Sequence, residues 1–450
     1  MPPIYNFAII GGGFSGLATL ANIVRDAQKN LSIAVISRDK RGVFGPAYST
    51  PRPEHLLNVP AGNMGVFSDN PGHFHAWLVA QGETAGPGEY LPRATYGRYL
   101  QSVLDETLAL ARDKGIRVDW FEGEVDAVED HAEYIAIRSG DEFLAALSVV
   151  LAVGNALKGR AETGPITERP WQFDFSSLSP AQKNIALIGS GLTAADVIIS
   201  ILDSGWQGNI HCYSGSAALP QSHLIPYDAS QRQAPEPGGI LSQRLSQVLR
   251  AMRAHIRASG RDWRYVVDGL RPLTQDIWRS LSETDRSRLV KKYFTLWNIH
   301  RHRYAPQIGE RIDNALKTGQ LTMIAARVKD AVKESGGIRL ALDRPAATSD
   351  TVYDIVFRCA GVDYRIDNNP LLKKMVEAGL LKTTSDGYGI RASDNLLAYR
   401  DRPCEIYVIG APLFGALFET TAVPELRAQA KVISSALLAD SIASKSLAFD

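Results

Sequence analysis

Phe7-Ala8-Ile9-Ile10-Gly11-Gly12-Gly13-Phe14-Ser15-Gly16 decides the reading of this chain. Four apolar residues make a short buried strand. Gly11, Gly13 and Gly16 then fit G-x-G-x-x-G, and from Ser15 to Arg25 the apolar residues recur with a helical period. Ile33-Ala34-Val35-Ile36 follows as a second strand. This context is what a dinucleotide pyrophosphate requires. Gly11 makes a tight turn, Gly13 lets the backbone approach the phosphates, and Gly16 lets helix and sheet pack closely. The phosphates then sit on free N–H groups at the helix N-terminus, opened by Phe14 and Ser15. An acidic residue for the adenosine ribose is missing from the end of the second strand. Ser37 stands there, followed by Arg38 and Asp39.

A second unit of the same kind begins at Ile185. Gly189-Ser190-Gly191-Leu192-Thr193-Ala194 fits G-x-G-x-x-A, between the strand Ile185 to Ile188 and a helix from Ala194 to Leu202. A strand from Ile210 to Tyr213 ends in Ser214-Gly215-Ser216, without the arginine or lysine that a 2′-phosphate would want, although Arg232 can arrive from a loop. That favours NADH slightly over NADPH. Two such units make the chain an internal duplication rather than a short-period repeat.

Around these units, the 450 residues suffice for two or three domains, with 45% hydrophobic and 22% charged residues. A formal net charge of +1 gives no reason to expect a nucleic-acid or membrane-surface partner. Cys212, Cys359 and Cys404 form no C-x-x-C, which removes a short-range dithiol or zinc knuckle. His73 and His75, two apart, do not share a helix face, so no metal site is expected. Sparse cysteines and no long apolar run place the chain in the cytoplasm.

Alternating short strands are expected in Trp120 to Val128, Tyr134 to Ile137 and Phe143 to Val153, as an antiparallel meander ending in a buried strand. Lys158 to Gln182 reads as a linker, and Leu241 to Leu316 as helical. The expected architecture is α/β with two Rossmann-like domains. A discontinuous first domain spans residues 1–160 and 356–450. A second, at 180–355, carries a helical insertion at 241–316.

Several segments resemble the FAD/NAD(P)-binding proteins related to class B flavin monooxygenases and amine N-hydroxylases. They are Gly45 to Thr50, His55 to Pro60, Leu91 to Leu100, Gly189 to Asp196, Trp297 to Pro306 and Glu419 to Arg427. The resemblance implies FAD on the first motif, a nicotinamide cofactor on the second, and Leu57-Asn58-Val59 near the isoalloxazine. It also implies closure of the flavin site by Gly410 to Val423, including Glu419, Thr420, Ala422 and Val423, with Val125 and Gly154 as further cofactor contacts. Pro424 suits a helix start there. The Baeyer–Villiger fingerprint F-x-G-x-x-x-H is absent, so ketone oxygenation is not expected.

The chemistry implied is NAD(P)H-dependent hydroxylation of a small polar substrate by O2 through a flavin C4a-(hydro)peroxide. The first choice is N-hydroxylation of an amine or amino acid. Carbon hydroxylation of a purine-like heterocycle, a non-oxygenating reductase or dehydrogenase, and a flavin-binding redox sensor remain open. Asn58 is the choice for stabilising the peroxide, or else it is a turn residue before Val59-Pro60. Trp297, Arg301, His302 and Arg303, with Arg93 and Tyr96, are the expected substrate contacts. Their cations suit a carboxylate or phosphate, and their alternative is helix packing or a solvated face.

Overall fold

A computed structural model describes residues 3–28, 30–42, 44–45, 47–157, 165–401 and 404–446. The chain separates into two compact units, one of residues 1–51, 60–156 and 363–450 and the other of residues 52–59 and 157–362.

In the first unit, β1 (Ile4–Ile10), α1 (Phe14–Asp26) and β2 (Ser32–Ser37) lead to helices α2 (His73–Ala80) and α3 (Arg93–Asp113). Strands β3 (Arg117–Glu122), β4 (Ala127–Asp130), β5 (Ile135–Ser139) and β6 (Glu142–Leu151) follow, then a two-residue strand β7 (Ala156–Leu157). The sheet runs β3-β2-β1-β6, all parallel. β6 is long enough to serve two neighbours on its other edge. Its first half pairs antiparallel with β5, and its second half pairs parallel with β16 (Glu405–Val408), which returns from the far end of the chain. The meander is therefore β4-β5-β6. Trp120, expected in its first strand, belongs instead to β3, with the turn Gly123 to Asp126 separating the two. Opposite Val35 in that parallel pairing, β3 extends the sheet outward rather than folding back.

Ile9, Ile33 and Val149 are fully buried, which explains the unbroken apolar runs. Helix α1 is buried from Phe14 to Val24. Its two polar core residues are satisfied within the helix: Thr19 Oγ1 donates to Ser15 O at 2.9 Å and Asn22 Nδ2 to Ala18 O at 2.7 Å. Against α1 packs the last helix, α13 (Val423–Ser446).

The second unit repeats the plan with β8 (Asn184–Ile188), α4 (Leu192–Asp203) and β9 (Asn209–Ser214). Helices α5 (Pro237–Ile240), α6 (Leu245–Ser259), α7 (Trp263–Gly269), α8 (Thr274–Ser280), α9 (Glu283–Arg288), α10 (Phe294–Arg301) and α11 (Pro306–Lys317) follow. Then come β10 (Leu321–Ala325), β11 (Val328–Glu334), β12 (Gly337–Leu342), β13 (Val352–Tyr353), β14 (Ile355–Arg358), β15 (Val362–Asp363) and, back in the first unit, α12 (Pro370–Glu377). The parallel order β10-β9-β8-β14 matches β3-β2-β1-β6 strand for strand. Thr351 to Arg358, which reads as one strand, is two. β13 closes an antiparallel sheet with β12, and β14 joins the parallel one. Residues 158–164 of the linker lie outside the described residues.

Candidate functional site: two glycine turns and a buried arginine

The two glycine turns share one backbone geometry at their first glycine. Gly11 has φ +114° and Gly189 φ +109°, conformations that a side chain rarely adopts. Gly11 N–H donates to Ile36 O at 2.7 Å and Gly189 N–H to Tyr213 O at 2.9 Å, so each turn is tied to the end of the neighbouring strand. A Cβ on Gly11 would lie 2.1 Å from Ala152 O, and one on Gly189 would lie 2.4 Å from Cys359 O. Each first glycine thus makes room for a carbonyl of the next parallel strand connection. The third position is as tight, since a Cβ on Gly16 would stand 1.9 Å from Gly11 O.

The middle glycine differs in both units. Gly13 and Gly191 are helix N-cap residues with ordinary extended backbone, φ −71° and −85°. A Cβ on Gly13 would meet only Phe44 O, at 4.0 Å, and one on Gly191 nothing within 4 Å. Nothing among the described residues requires a glycine there. Neither α1 nor α4 has a side-chain cap or an acid in its first turn. The first N–H groups of both helices are therefore left for an anion. This is the arrangement that receives a dinucleotide pyrophosphate, and it fits FAD on Phe14 and Ser15 and a second dinucleotide on Leu192 and Thr193.

Around the first turn, Ser37 is buried at the end of β2, with its hydroxyl 2.9 Å from where a Gly12 Cβ would stand. Arg38 is exposed, with Asp39 at 3.9 Å. Val125 is buried, while Gly154 has φ +69° with open space beside it. Sequence alone did not single out Trp120, whose ring would lie 2.5 Å from a Cβ on Gly12 and whose buried Nε1 has no hydrogen-bond partner. Gly410, at φ +85°, would bring a Cβ within 3.7 Å of Ser15 Oγ, so this glycine lies against the first turn of α1. Its N–H donates to Gln429 Oε1 at 2.8 Å. Glu419 holds a left-handed φ of +56°, and Thr420 Oγ1 is buried without a hydrogen-bond partner. Ala422 precedes α13, which begins at Val423 with Pro424 in its first turn. Strained backbone and an orphaned hydroxyl in one short segment fit a ligand-closing role.

Tyr96 is corrected by the structure. It is fully buried, its hydroxyl donates to Met64 O at 2.8 Å, and its ring stacks on Phe14 at 6.4 Å within a cluster including Tyr48, Phe74 and Tyr99. It supports the glycine turn by packing and has no face left for a substrate. Arg93 opens α3 half-buried.

In the second unit, residues Arg52 to Val59 group with the second sheet and its helices. His55 hydrogen-bonds Ser200 Oγ at 2.8 Å, Leu57 is buried, and Asn58 O accepts from His223 Nε2 at 3.1 Å. The backbone of Gln221 to His223 is zipped to Ile299 and Tyr304 by three hydrogen bonds. This places His223 beside the run 301–303. Trp297 is half-buried in the middle of α10 and His302 just beyond its end, and Arg301 is buried.

Arg303 is 1% exposed, so the solvated-face alternative fails for it. Its Nη2 donates to Asp268 Oδ1, while Tyr227 donates to Asp268 Oδ2 at 2.7 Å. Nε and Nη1 of Arg303 are buried and have no hydrogen-bond partner among the described residues. Burial, with the positive charge of Arg303 next, pushes His223 down to about 4, so it is neutral at physiological pH. Asp268 is held below the usual carboxylate range because the arginine charge and the tyrosine bond outweigh burial. The cluster thus combines a buried cation with guanidinium donors that lack an acceptor among the described residues. Such orphaned guanidinium donors call for an anion.

Among the described residues no helix is long and apolar enough to cross a membrane, and no cluster of His, Cys, Asp or Glu could hold a metal ion.

Residues 8–156 match the model of a family described as FAD-NAD(P)-binding, so this part of the chain is an FAD/NAD(P)-binding domain. No curated protein matches in sequence. Among solved structures, the chain is similar to the ornithine N-hydroxylase of Kutzneria sp. 744 with reduced FAD, NADP+ and L-ornithine: TM-score 0.66, 15% identity, covering 98% of this chain and 100% of that one. The reduced ornithine hydroxylase of Pseudomonas aeruginosa gives TM-score 0.66 at 17% identity, covering 97% and 99%. L-lysine 6-monooxygenase from Pseudomonas syringae gives 0.62 at 16%, covering 96% and 99%. At these identities the likeness is one of fold. The chain has the α/β, two-dinucleotide fold of these proteins over almost its whole length.

Proposed function

We propose that the chain is an FAD-dependent monooxygenase that consumes NAD(P)H and O2 to hydroxylate the nitrogen of a small amine bearing a carboxylate. The observation that carries this reading is the pair of uncapped helix ends at Gly13 and Gly191, each with open space at its middle glycine. One chain with two such receivers is built to pass a hydride from one dinucleotide to another. The flavin, once bound and reduced, supplies oxygen activation and transfer. Overall, R–NH2, O2, NAD(P)H and a proton give R–NHOH, NAD(P)+ and water.

The protein's part is to bind, orient and keep dry. Phe14 and Ser15, with Gly410 against them, would hold the FAD diphosphate, and Thr420 with the start of α13 would close the site. Asn58 lies in a segment whose main chain accepts a hydrogen bond from His223. Arg303 would take the substrate carboxylate on Nε and Nη1, a planar fork suited to that group. Neutral His223 adds no competing charge.

A thiol-disulfide reductase would be the rival suggested by fold, since bacillithiol disulfide reductase of Staphylococcus aureus also matches, with TM-score 0.53 at 13% identity, covering 98% and 99%. All three cysteines are buried, and burial pushes the Cys212 thiol up to about 12. The oxygenase reading is tested by loading the protein with FAD and following NAD(P)H oxidation with a panel of amino acids and simple amines. The product should be 16 mass units heavier than the amine, one oxygen atom gained. A protein that takes up no FAD, or that yields only hydrogen peroxide with every amine, would sink the reading.

A further inference from the structure

We propose that Arg327 is the 2′-phosphate ligand of the second dinucleotide unit and makes the chain prefer NADPH to NADH. This rests on reading that unit as the nicotinamide-dinucleotide domain. In a β-α-β unit of this kind the end of the second strand meets the adenosine ribose. An acid there holds the 2′-hydroxyl, and an arginine nearby accepts a 2′-phosphate. β9 ends at Ser214, and neither acid nor cation follows in Gly215-Ser216. The sequence therefore leans towards NADH.

The fold supplies what the local sequence lacks. β10 lies parallel beside β9 with Ala325 opposite Ser214, so the chain leaves β10 at the same edge of the sheet. Two residues later comes Arg327. A Cβ on Gly215 would lie 3.1 Å from Arg327 Nε and 3.6 Å from Nη2, so the guanidinium spans the α-carbon of the residue just past the strand. Glycine at 215 leaves it room. The main chain of Arg327 is clamped on both sides: its N–H donates to Asp343 Oδ1 at 2.8 Å, and its carbonyl accepts from Asp343 N–H at 2.9 Å. Asp343 thus fixes the backbone, and its carboxylate feels the Arg327 charge without forming an ion pair with it among the described residues.

An exposed arginine is ordinary in itself. The main chain of this one is held at both its N–H and its carbonyl, and its guanidinium has no hydrogen bond or ion pair among the described residues. No carboxylate follows β9 to repel a phosphate. Arg232 is not a competitor. Its Nε donates to Tyr227 Oη at 2.8 Å and its guanidinium lies 5.4 Å from that ring centroid. A phosphate dianion would accept two parallel N–H bonds from the Arg327 fork.

Calorimetric titration of the FAD-loaded full chain with adenosine 2′,5′-bisphosphate and with 5′-AMP tests this without turnover. The wild type should bind the bisphosphate roughly 10- to 100-fold more tightly, the span of one or two charge-assisted bonds. R327A should bring that ratio close to 1 while 5′-AMP affinity and the flavin spectrum stay unchanged. R327K should keep part of it. Equal binding of both probes by the wild type, or a ratio unaltered in R327A, overturns the proposal. If the wild type binds neither probe, the second unit is not a dinucleotide receiver, and the functional reading falls with it.

Discussion

Replacing the glycines of the first turn one at a time separates what the fold needs from what a ligand needs. Gly11→Ala puts a methyl 2.1 Å from Ala152 O at a φ of +114°. Left-handed strain of about 1–3 kcal/mol and overpacking of about 1–3 kcal/mol sum to roughly 2–6 kcal/mol lost from the FAD-free protein. Gly13→Ala meets nothing closer than 4.0 Å and keeps an ordinary φ of −71°, so its cost without FAD should be about 1 kcal/mol or less. That added methyl stands where the diphosphate must approach. Overpacking of about 1–3 kcal/mol there weakens FAD binding roughly 5- to 150-fold. Urea unfolding of flavin-stripped protein gives the first quantity, and titration with FAD followed by flavin fluorescence gives the second. The argument is refuted if G13A binds FAD like the wild type, or if G11A is as stable as G13A.

Other expectations follow from the second unit. His223 is held near 4 when folded against about 6.5 when unfolded, so its contribution is fully present above 6.5 and is lost as the pH falls towards 4. Over that window the wild type should lose up to about 3 kcal/mol that His223→Asn does not, at 1.36 kcal/mol per pK unit. Parallel urea midpoints for the two proteins against pH would contradict this. Arg303→Met leaves Asp268 buried without its cation and should cost about 3–5 kcal/mol, much of it recovered by adding Asp268→Asn. Additive losses in that double-mutant cycle would show the pair is not coupled. The buried cysteines should resist thiol reagents in the native protein, and a C212S/C359S/C404S variant should retain NAD(P)H-driven bleaching of the flavin. Loss of bleaching in a folded triple variant would return the disulfide-reductase reading to contention.

What the sequence disclosed and what it hid divide along a physical line. Both glycine turns were legible because each is a local contract between a strand, three glycines and a helix, all within about a dozen residues of one another. Tyr96 was misread because an aromatic beside arginines looks like a binding cluster. Only the packing against Phe14, Tyr48 and Phe74 reveals it as core. Arg303 read as a substrate contact or as part of a solvated face, and no local pattern reveals its buried pairing with Asp268, a partner 35 residues away. Arg327 was invisible for the same reason: the strand register that sets it beside Gly215 joins segments more than a hundred residues apart. Trp120 was assigned to the wrong neighbour because alternation alone does not distinguish a parallel edge strand from the first arm of a hairpin.

The late return of β16 also bears on how the polypeptide matures. During synthesis, residues 157–362 emerge as one uninterrupted block, carrying nearly all of their own sheet. By contrast, β6 waits some 250 residues for Glu405–Val408 to complete its edge, and α1 waits longer for α13. A ribosome stalled before Glu405 would release a chain whose later-numbered half is nearly finished and whose earliest sheet still has an open side. Such an unsatisfied edge invites pairing with another chain.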